Sequence, residues 1–159
     1  MEKKYIEIFF ENIKKKKEYD VFSIALPINL IYKCDFNENE QLFKDKYNLI
    51  HSDIDVLAAL YFNNKELSPT ELYSAVVFSS GGMTKVLKKL ESLGYISRNK
   101  NIKDKRSVFI KLERKGEEVL LNCLDDLVQL KSKKYEILTK NERETLKKIL
   151  KKIVINLPN

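Results

Sequence analysis

Apolar residues recur along most of the chain at the three- and four-residue spacing that predicts amphipathic helices. The first such segment, residues 4–17, places five apolar side chains on one face: Tyr5, Ile6, Phe9, Phe10 and Ile13. Residues 21–32 are nearly all apolar, and Pro27 among them predicts a kink or a break between two helices. The chain therefore opens with strongly apolar helices.

Capping signals mark the next two helices. Ser52 is expected to cap a helix over residues 50–62. The clearest start signal is LSPTEL, in which Ser68 is the cap, Pro69 fills the first helical position and Glu71 completes a capping box. These signals predict two helices in quick succession.

The stretch SSGGMTKVLKKLESLG, residues 79–94, predicts a further helix with an apolar stripe and a basic polar face. Gly94 is expected to terminate it as a C-terminal cap. Residues 95–98 and 107–112 then predict two strands, joined by the polar and mostly basic turn NKNIKDKR. Together these segments predict a helix followed by a β-hairpin.

Two more helices close the chain. Residues 117–135 predict a long amphipathic helix, and Thr139 with Glu142 opens a capped helix that runs to about Ile155. The predicted fold class is therefore mostly α with a small β-hairpin.

Charge is concentrated in one part of the sequence. The chain carries 30 Lys or Arg against 23 Asp or Glu, a net charge of +7. Residues 85–115 hold eleven of the basic side chains and only three acidic ones, so this window accounts for the whole excess. A concentrated positive charge favours a polyanionic partner, either nucleic acid or an anionic membrane.

Several classes of protein are disfavoured. Cys34 and Cys123 lie far apart and in no metal-ligand spacing, which argues against a disulfide framework and against a metal site. The charged N-terminus lacks a signal-peptide core, and no apolar run approaches the roughly 20 residues that span a bilayer. With one histidine and no phosphate loop, no catalytic set emerges and no cofactor is expected. We therefore expect a soluble cytoplasmic protein that is not an enzyme.

The order of elements after residue 50 is that of a winged helix-turn-helix. In this arrangement the second helix of the motif enters the DNA major groove, and the hairpin reaches the flanking backbone or minor groove. The predicted DNA-binding residues are Ser79, Ser80, Gly81, Gly82, Thr84, Lys85, Lys88, Lys89, Lys100, Lys103, Asp104, Lys105 and Arg106.

The start of the groove helix is expected to approach DNA most closely. Gly81 and Gly82 are placed in its first turn, where a side chain would hold the backbone away from the duplex. Ser79 and Ser80 supply a cap and short hydroxyls that can donate to phosphate or to base edges, and helix-start N–H groups favour phosphate. A close approach of DNA would therefore explain two glycines at the start of a helix, where glycine is otherwise unfavourable.

The polar face of the same helix carries the remaining contacts. Thr84 and Lys85 lie nearest its tip and are the candidates for base contact, whereas Lys88 and Lys89 are the candidates for phosphate contact. Each feature also has a plainer explanation, because glycines at a helix start are often turn residues and surface lysines are usually only solvated.

Two other functions stay open at this stage. One is a winged-helix module for protein–protein assembly, which predicts a neutral or acidic groove helix. The other is a basic winged-helix protein that binds DNA without sequence preference, as a chromatin organiser does. Competition with random DNA separates the latter from a sequence-specific regulator.

Several motifs occur in a fixed order between residues 50 and 116. They are DVLAAL at 55–60, LSPTEL at 67–72, SSGGMTK at 79–85, LE at 90–91 and GY at 94–95. The predicted wing adds an acidic-x-arginine tip, Asp104 and Arg106. This combination resembles the MarR family of bacterial transcriptional regulators, whose architecture the flanking helices also fit.

The resemblance implies a homodimer that binds double-stranded DNA. Residues 1–49 and 117–159 would form the dimerisation platform, and residues 50–116 the winged DNA-binding domain. A two-fold dimer of this kind reads a pseudo-palindromic operator with half-sites about one helical turn apart. The resemblance further implies a repressor in which Arg106 inserts into the minor groove and Asp104 orients it.

Many members of that family bind a small phenolic or anionic effector. The resemblance makes His51, Tyr32, Tyr47 and Tyr61 the candidate ligand-binding residues. The alternative for His51 is a capping or surface role, and the alternative for the tyrosines is packing in a core or interface.

Some members sense oxidants through a cysteine in the N-terminal helices. Cys34 is the candidate redox residue here, because Lys33 beside it supplies a cation. Asp35 offsets that charge, so burial by packing is the favoured alternative for Cys34. Cys123 lies on the apolar stripe of a predicted helix and is expected to be packed.

Overall fold

Helices dominate the part of the chain that the structure describes. The computed structural model describes residues 2–76, 82–100 and 108–157. The helices are α1 Lys3–Ile13, α2 Phe22–Leu42, α3 His51–Phe62, α4 Pro69–Ala75, α5 Met83–Ser92, α6 Arg114–Tyr135 and α7 Lys140–Ile155. The strands are β1 Glu66–Leu67, β2 Ile96–Lys100 and β3 Val108–Leu112. The predicted fold class is confirmed.

Residues 1–51 form one compact unit, and residues 52–159 form a second. The first unit holds α1, α2 and a short 3₁₀ turn at Lys17–Tyr19. Pro27 lies inside α2 instead of dividing it, so the predicted break between two helices is wrong. A proline removes only one helical hydrogen bond, and the long run of helical residues around Pro27 carries the helix through it.

A π-helical turn at Phe43–Tyr47 follows α2 directly and ends at Asn48. Asn48 has a left-handed backbone, φ 54°, which asparagine tolerates better than most side chains. The Leu49 N–H donates to the Phe43 carbonyl at 3.1 Å and closes the turn. Both Phe43 and Leu49 are buried, so two apolar side chains anchor this end of the first unit.

The second unit encloses a core to which helices and sheet all contribute. Its large, fully buried side chains include Leu57, Leu60, Leu72, Met83, Leu90, Ile110 and Leu120. On β3 the side chains alternate, so Ile110 and Leu112 are buried and Lys111 between them is exposed. The sheet therefore presents one face to this core.

The sheet has three antiparallel strands in the order β1–β3–β2. β2 and β3 form the predicted hairpin, with Arg98 opposite Ile110. On the other side of β3, Leu67 of β1 is opposite the same Ile110. The sequence did not predict β1, because two residues are too few to show any periodicity.

The predicted N-terminal caps at Ser68 and Thr139 are confirmed. Ser68 and Thr139 each accept a hydrogen bond from the backbone N–H of the glutamate three residues later, at 3.3 Å, and each glutamate side chain accepts one from the backbone N–H of the cap residue. Ser52 is not a cap, because α3 begins one residue earlier, at His51. The His51 N–H donates instead to Glu40 Oε2, at 3.2 Å.

Apolar side chains remain exposed on the helices at both ends of the single chain. In α1 and α2 they include Tyr5, Ile8, Phe22, Ile24, Ile28 and Ile31. In α7 they are Ile149, Leu150, Ile153, Val154 and Ile155. Among the described residues no helix is long and apolar enough to cross a membrane.

Candidate nucleic-acid interface

The helix α5 has one buried and one exposed face, as its sequence pattern predicts. Met83, Val86, Leu87 and Leu90 are buried in the second unit. The intervening residues Thr84, Lys85 and Lys88 are exposed. Because a helix turns once every 3.6 residues, these three side chains lie together on the outward face. The structure therefore brings three of the predicted DNA contacts to one surface.

The start of α5 differs from the prediction. Gly82 is the residue before the helix, with φ −97° and ψ −14°, and not a member of its first turn. No heavy atom of the described chain lies within 4 Å of the position where a Cβ would stand on Gly82. Packing within the described chain therefore gives no reason for glycine at this position. Ser79, Ser80 and Gly81 lie outside the described residues.

The end of α5 is held by a Schellman motif, which confirms Gly94 as its C-terminal cap. Gly94 has φ +71°, and its N–H donates to the Glu91 carbonyl at 3.0 Å. The Tyr95 N–H donates to the Leu90 carbonyl at 2.9 Å. Lys115 Nζ of α6 donates to the Leu93 carbonyl at 3.0 Å, so α6 also fixes this end.

An ion pair joins α5 to α3. Lys89 Nζ lies 2.5 Å from Asp53 Oδ2, and the Asp53 side chain has no exposed surface. Lys89, predicted as a phosphate contact, is thus bound to a carboxylate inside the protein. Sequence reasoning missed this pair, because Asp53 stands 36 residues earlier and is one of many acidic side chains in predicted helices.

The strand β2, which follows α5, is linked to α5 by an ion pair, and α6 packs against the backbone that joins α5 to β2. Arg98 Nε of β2 lies 3.2 Å from Glu91 Oε2 of α5. Gly116 of α6 packs against the backbone between them, so that a Cβ on Gly116 would stand 2.3 Å from the Tyr95 carbonyl oxygen. Real Cβ atoms do not approach that closely, so a glycine is required where α6 crosses Tyr95.

The basic window therefore divides into paired and unpaired cations. Lys89, Arg98 and Arg114 each form an ion pair with a carboxylate. Lys85 and Lys88 form no ion pair with any residue in the described ranges. A cation that already pairs with a carboxylate loses that interaction when it binds a phosphate. Lys85 and Lys88 lose no ion pair with a described residue, so these two lysines are the stronger candidates for DNA contact.

The predicted wing is present as the β2–β3 hairpin, but its tip is not described. Lys103, Asp104, Lys105 and Arg106 lie outside the described residues. Lys100 ends β2 with its backbone paired to Val108. DNA contact by these five residues stays a prediction.

Two of the four candidate ligand-binding residues, His51 and Tyr32, lie beside Phe36 in the first unit. His51 Nδ1 lies 2.5 Å from Glu40 Oε2, and the His51 ring stacks on Phe36 with 4.0 Å between ring centroids. The ring of Tyr32, which is exposed, also lies beside Phe36, with 5.8 Å between ring centroids. His51 and Tyr32 therefore share Phe36 as a neighbour, and effector binding by this cluster stays a prediction.

The other two candidates, Tyr47 and Tyr61, each have a lysine near the ring. Tyr47 has Lys46 Nζ at 5.8 Å from its ring centroid, and Tyr61 has Lys65 Nζ at 6.0 Å. Within the described part of the chain, His, Cys, Asp and Glu side chains form no cluster of three or more that could hold a metal ion.

The two cysteines have opposite environments. Cys34 is exposed in the single chain, so the expected burial is wrong. It lies on the outer surface of α2, where its Sγ donates to Glu38 Oε1 at 3.2 Å. Cys123 is buried on the apolar stripe of α6, as expected. A redox role for Cys34 stays a prediction.

Comparison with known proteins identifies similar sequences and structures. The sequence profile described as "Transcriptional regulator SarA/Rot" matches residues 40–123. The HTH-type transcriptional regulator SarU of Staphylococcus aureus is 26% identical over 93 residues, 56% of this chain. That match spans only 38% of the length of SarU. The HTH-type transcriptional regulator MgrA of Staphylococcus aureus is 25% identical over 146 residues, 90% of each chain.

The fold is similar to that of a solved regulator from another bacterium. Wild-type MarR from E. coli, in its apo form, superposes with a TM-score of 0.67 at 25% identity. The superposition covers 85% of this chain and 96% of MarR. This likeness confirms the family resemblance that the sequence motifs indicate.

Proposed function

The chain belongs to the SarA/Rot family of transcriptional regulators, and from that premise we propose that it represses transcription as a sequence-specific, DNA-binding homodimer. The observation that carries this proposal is the outward face of α5. Thr84, Lys85 and Lys88 are exposed there, while the opposite face is fixed in the core. A rigid helix with a short polar side chain and two cations that pair with no described carboxylate suits base contact and phosphate contact together.

The open position at Gly82 supports a close approach by DNA. Nothing in the described chain fills the space that a side chain on Gly82 would occupy. The first-turn N–H groups of α5 lie beside this space, and such groups bind phosphate readily. We propose that the DNA backbone passes next to Gly82, with Thr84 and Lys85 over the base edges.

The exposed apolar helices support the dimer. Monomeric proteins rarely leave large contiguous apolar patches in contact with water. The second half of α7, residues 149–155, has exposed apolar side chains, and an open groove of about 740 Å³ beside Leu124, Leu127 and Val128 is lined mainly by α6. We propose that a second copy of the chain covers these surfaces and sets the spacing of two half-sites at about one helical turn.

The wing supplies the remaining contacts in this proposal. β1 and β2 hold β3 from both sides, so the hairpin is fixed to the body of the second unit. From that base, Lys103, Lys105 and Arg106 would reach the flanking backbone, with Arg106 in the minor groove. Asp104 would orient Arg106. Minor-groove arginines respond to groove width as well as to base identity.

Selection of bound sequences from a random DNA pool tests the proposal. Purified protein is expected to enrich a pseudo-palindrome, and competition should show binding tighter than to random DNA by at least about 10³-fold. Enrichment of a single half-site would contradict the dimer. Binding with no enriched sequence would favour the chromatin-type alternative, and no binding would favour the protein-assembly alternative.

Repression is tested separately with the enriched site. Placed across a promoter, the site should lower transcription by purified polymerase when the protein is added. A matched template with the two half-sites scrambled serves as the control. Activation from the intact site, or equal inhibition of both templates, would contradict repression by operator binding.

A further inference from the structure

The ion pair between α3 and α5 joins groups of very different exposure. Asp53, in the first turn of α3, is the one charged side chain among the described residues that is classed as buried. Its partner Lys89 keeps about a third of its side chain exposed, and the two charged atoms are 2.5 Å apart. The pair is therefore open to solvent only from the side of the lysine.

We infer that Asp53 and Lys89 are positioning residues, which fix the orientation of α5 for operator binding, and that Lys89 is not a phosphate contact. The inference rests on the proposed DNA-binding function. It separates Lys89 from Lys88, its neighbour in the sequence, although both belong to the same basic stretch.

The first argument concerns the carboxylate. A buried charge is strongly unfavourable unless it is paired, because the protein interior cannot solvate it as water does. A phosphate that drew Lys89 away would leave the Asp53 carboxylate in the interior without this cation. Lys88 forms no ion pair with a described residue, so its binding to a phosphate breaks no such pair.

The second argument concerns geometry. The buried stripe of α5 is made of Met83, Val86, Leu87 and Leu90, whose apolar contacts are not directional. An ion pair at hydrogen-bond distance is directional, and it restricts rotation of α5 about its own axis. Thr84 stands five residues before Lys89, about 7.5 Å along the helix axis, so any rotation at Lys89 also moves the proposed base contacts.

The test compares matched variants on the operator selected above. Lys89→Met and Asp53→Asn each break the pair, and the double variant removes both charges. Lys88→Met is the matched variant for a phosphate contact, and Lys147→Met in α7 is the matched surface control. For each, we would measure operator affinity as a function of salt, affinity for random DNA, and urea unfolding without DNA.

If the pair positions α5, Lys89→Met and Asp53→Asn should each lower the ratio of operator to random-DNA affinity by about tenfold or more. Their salt slopes should stay close to wild type, because no phosphate contact is lost. Lys88→Met should reduce the magnitude of the slope by about 0.9 and leave the ratio nearly unchanged. Asp53 is decisive, because a fully buried carboxylate affects DNA binding only through another residue.

Urea unfolding is measured without DNA, so it also tests the ion pair in variants that are too unstable for a DNA-binding assay. The double variant should lose less stability than the sum of the two single losses, because each single variant leaves one charge without its partner. Additive losses would overturn the inference by showing that the pair is not coupled. Lys147→Met should match the wild type in both arms.

Two further outcomes separate the inference from the function it rests on. Lys89→Met could instead behave as Lys88→Met does, with a smaller salt slope and an unchanged ratio of operator to random-DNA affinity. In that case Lys89 contacts phosphate, so the inference is wrong, but the proposed DNA binding is unaffected. If the wild type shows no operator preference and no salt dependence, the proposed function fails and the positioning role fails with it.

Discussion

The helices α5 and α7 contain nearly the same sequence pattern and have opposite environments. α5 carries VLKKL and α7 carries TLKKILKKI, so both combine an apolar stripe with pairs of lysines. In α5 the stripe is buried, with Leu90 fully inaccessible, whereas in α7 Leu150 is 41% exposed and Val154 is 63% exposed.

The difference shows what a binary pattern does and does not specify. Spacing at three and four residues states that one face of a helix avoids water. It does not state whether the same chain or another molecule covers that face. The stripe of α5 is buried in the second unit, where α5 contacts β2 and forms an ion pair with α3, whereas the apolar side chains of α7 named above are exposed in the single chain. We therefore propose that Thr84, Lys85 and Lys88 of α5 contact DNA, and that the exposed apolar stripe of α7 forms part of the dimer interface.

The largest expected effect comes from shortening one leucine in each stripe. Leu90→Ala should lower the free energy of unfolding by about 2–5 kcal/mol at any protein concentration, since it opens a cavity in the core. Leu150→Ala should act mainly through association, so its effect on the urea midpoint should depend on protein concentration. Urea unfolding at several concentrations distinguishes them. An equal, concentration-independent loss in both variants would mean that α7 is covered within the chain.

The next effect concerns the lysines. Lys85→Met should weaken operator binding by about 1–3 kcal/mol, because it removes a proposed base contact. Lys148→Met, at a comparable place in the α7 pattern, should leave operator affinity unchanged. Fluorescence anisotropy titrations at fixed salt measure both. Equal losses would show that only the total charge matters and would remove the distinction between the two helices.

The helix starts give a third comparison, because α7 has a capping box, whereas α5 begins at Met83, directly after Gly82, which supplies no side-chain cap. Thr139→Ala should cost about 0.5–2 kcal/mol of stability through loss of the cap. Gly82→Ala should leave stability unchanged or raise it by about 0.4–1 kcal/mol, because φ −97° suits alanine. The same alanine should weaken operator binding if DNA passes beside Gly82. Unchanged affinity of Gly82→Ala would contradict that close approach.

The smallest effect is a pH dependence confined to the caps. The hydrogen bond from the Thr139 side chain, followed by that from its backbone, holds the pKa of Glu142 below its ordinary value of 4.5. Because the folded pKa is lowered, the stabilisation is complete above about pH 4.5 and is lost as pH falls through the folded value. Glu142→Gln should therefore be less stable than wild type at pH 7, with the gap closing in acid. Thermal melts from pH 7 down into acid measure this, and a gap that does not narrow below about pH 4.5 would contradict it.

The sequence predicts features that depend on neighbouring residues far better than features that depend on distant ones. The capping boxes at Ser68 and Thr139, the glycine cap at Gly94 and the buried stripe of α5 all follow from spacings of five residues or fewer. Each is enforced by the helix geometry itself, so no knowledge of the tertiary fold is needed.

The features that were missed depend on contacts between separate elements. Nothing near Asp53 shows that it will meet Lys89, and nothing in Glu66–Leu67 shows that these two residues will pair with β3. Glu40 replaced the expected cap at Ser52 for the same reason, since it comes from the preceding helix. Of the candidate DNA contacts, sequence reasoning found the exposed face of α5 but did not separate Lys88 from Lys89.

The short strand β1 has a consequence for how this protein can be altered. Leu67 and Glu66 pair with one edge of β3, and β2 pairs with the other, so β3 is held in register from both sides. If the proposed DNA contacts hold, we expect that residues 101–107 can be exchanged for segments of other lengths while this pairing is kept. Such exchanged segments would then change which flanking DNA the protein prefers.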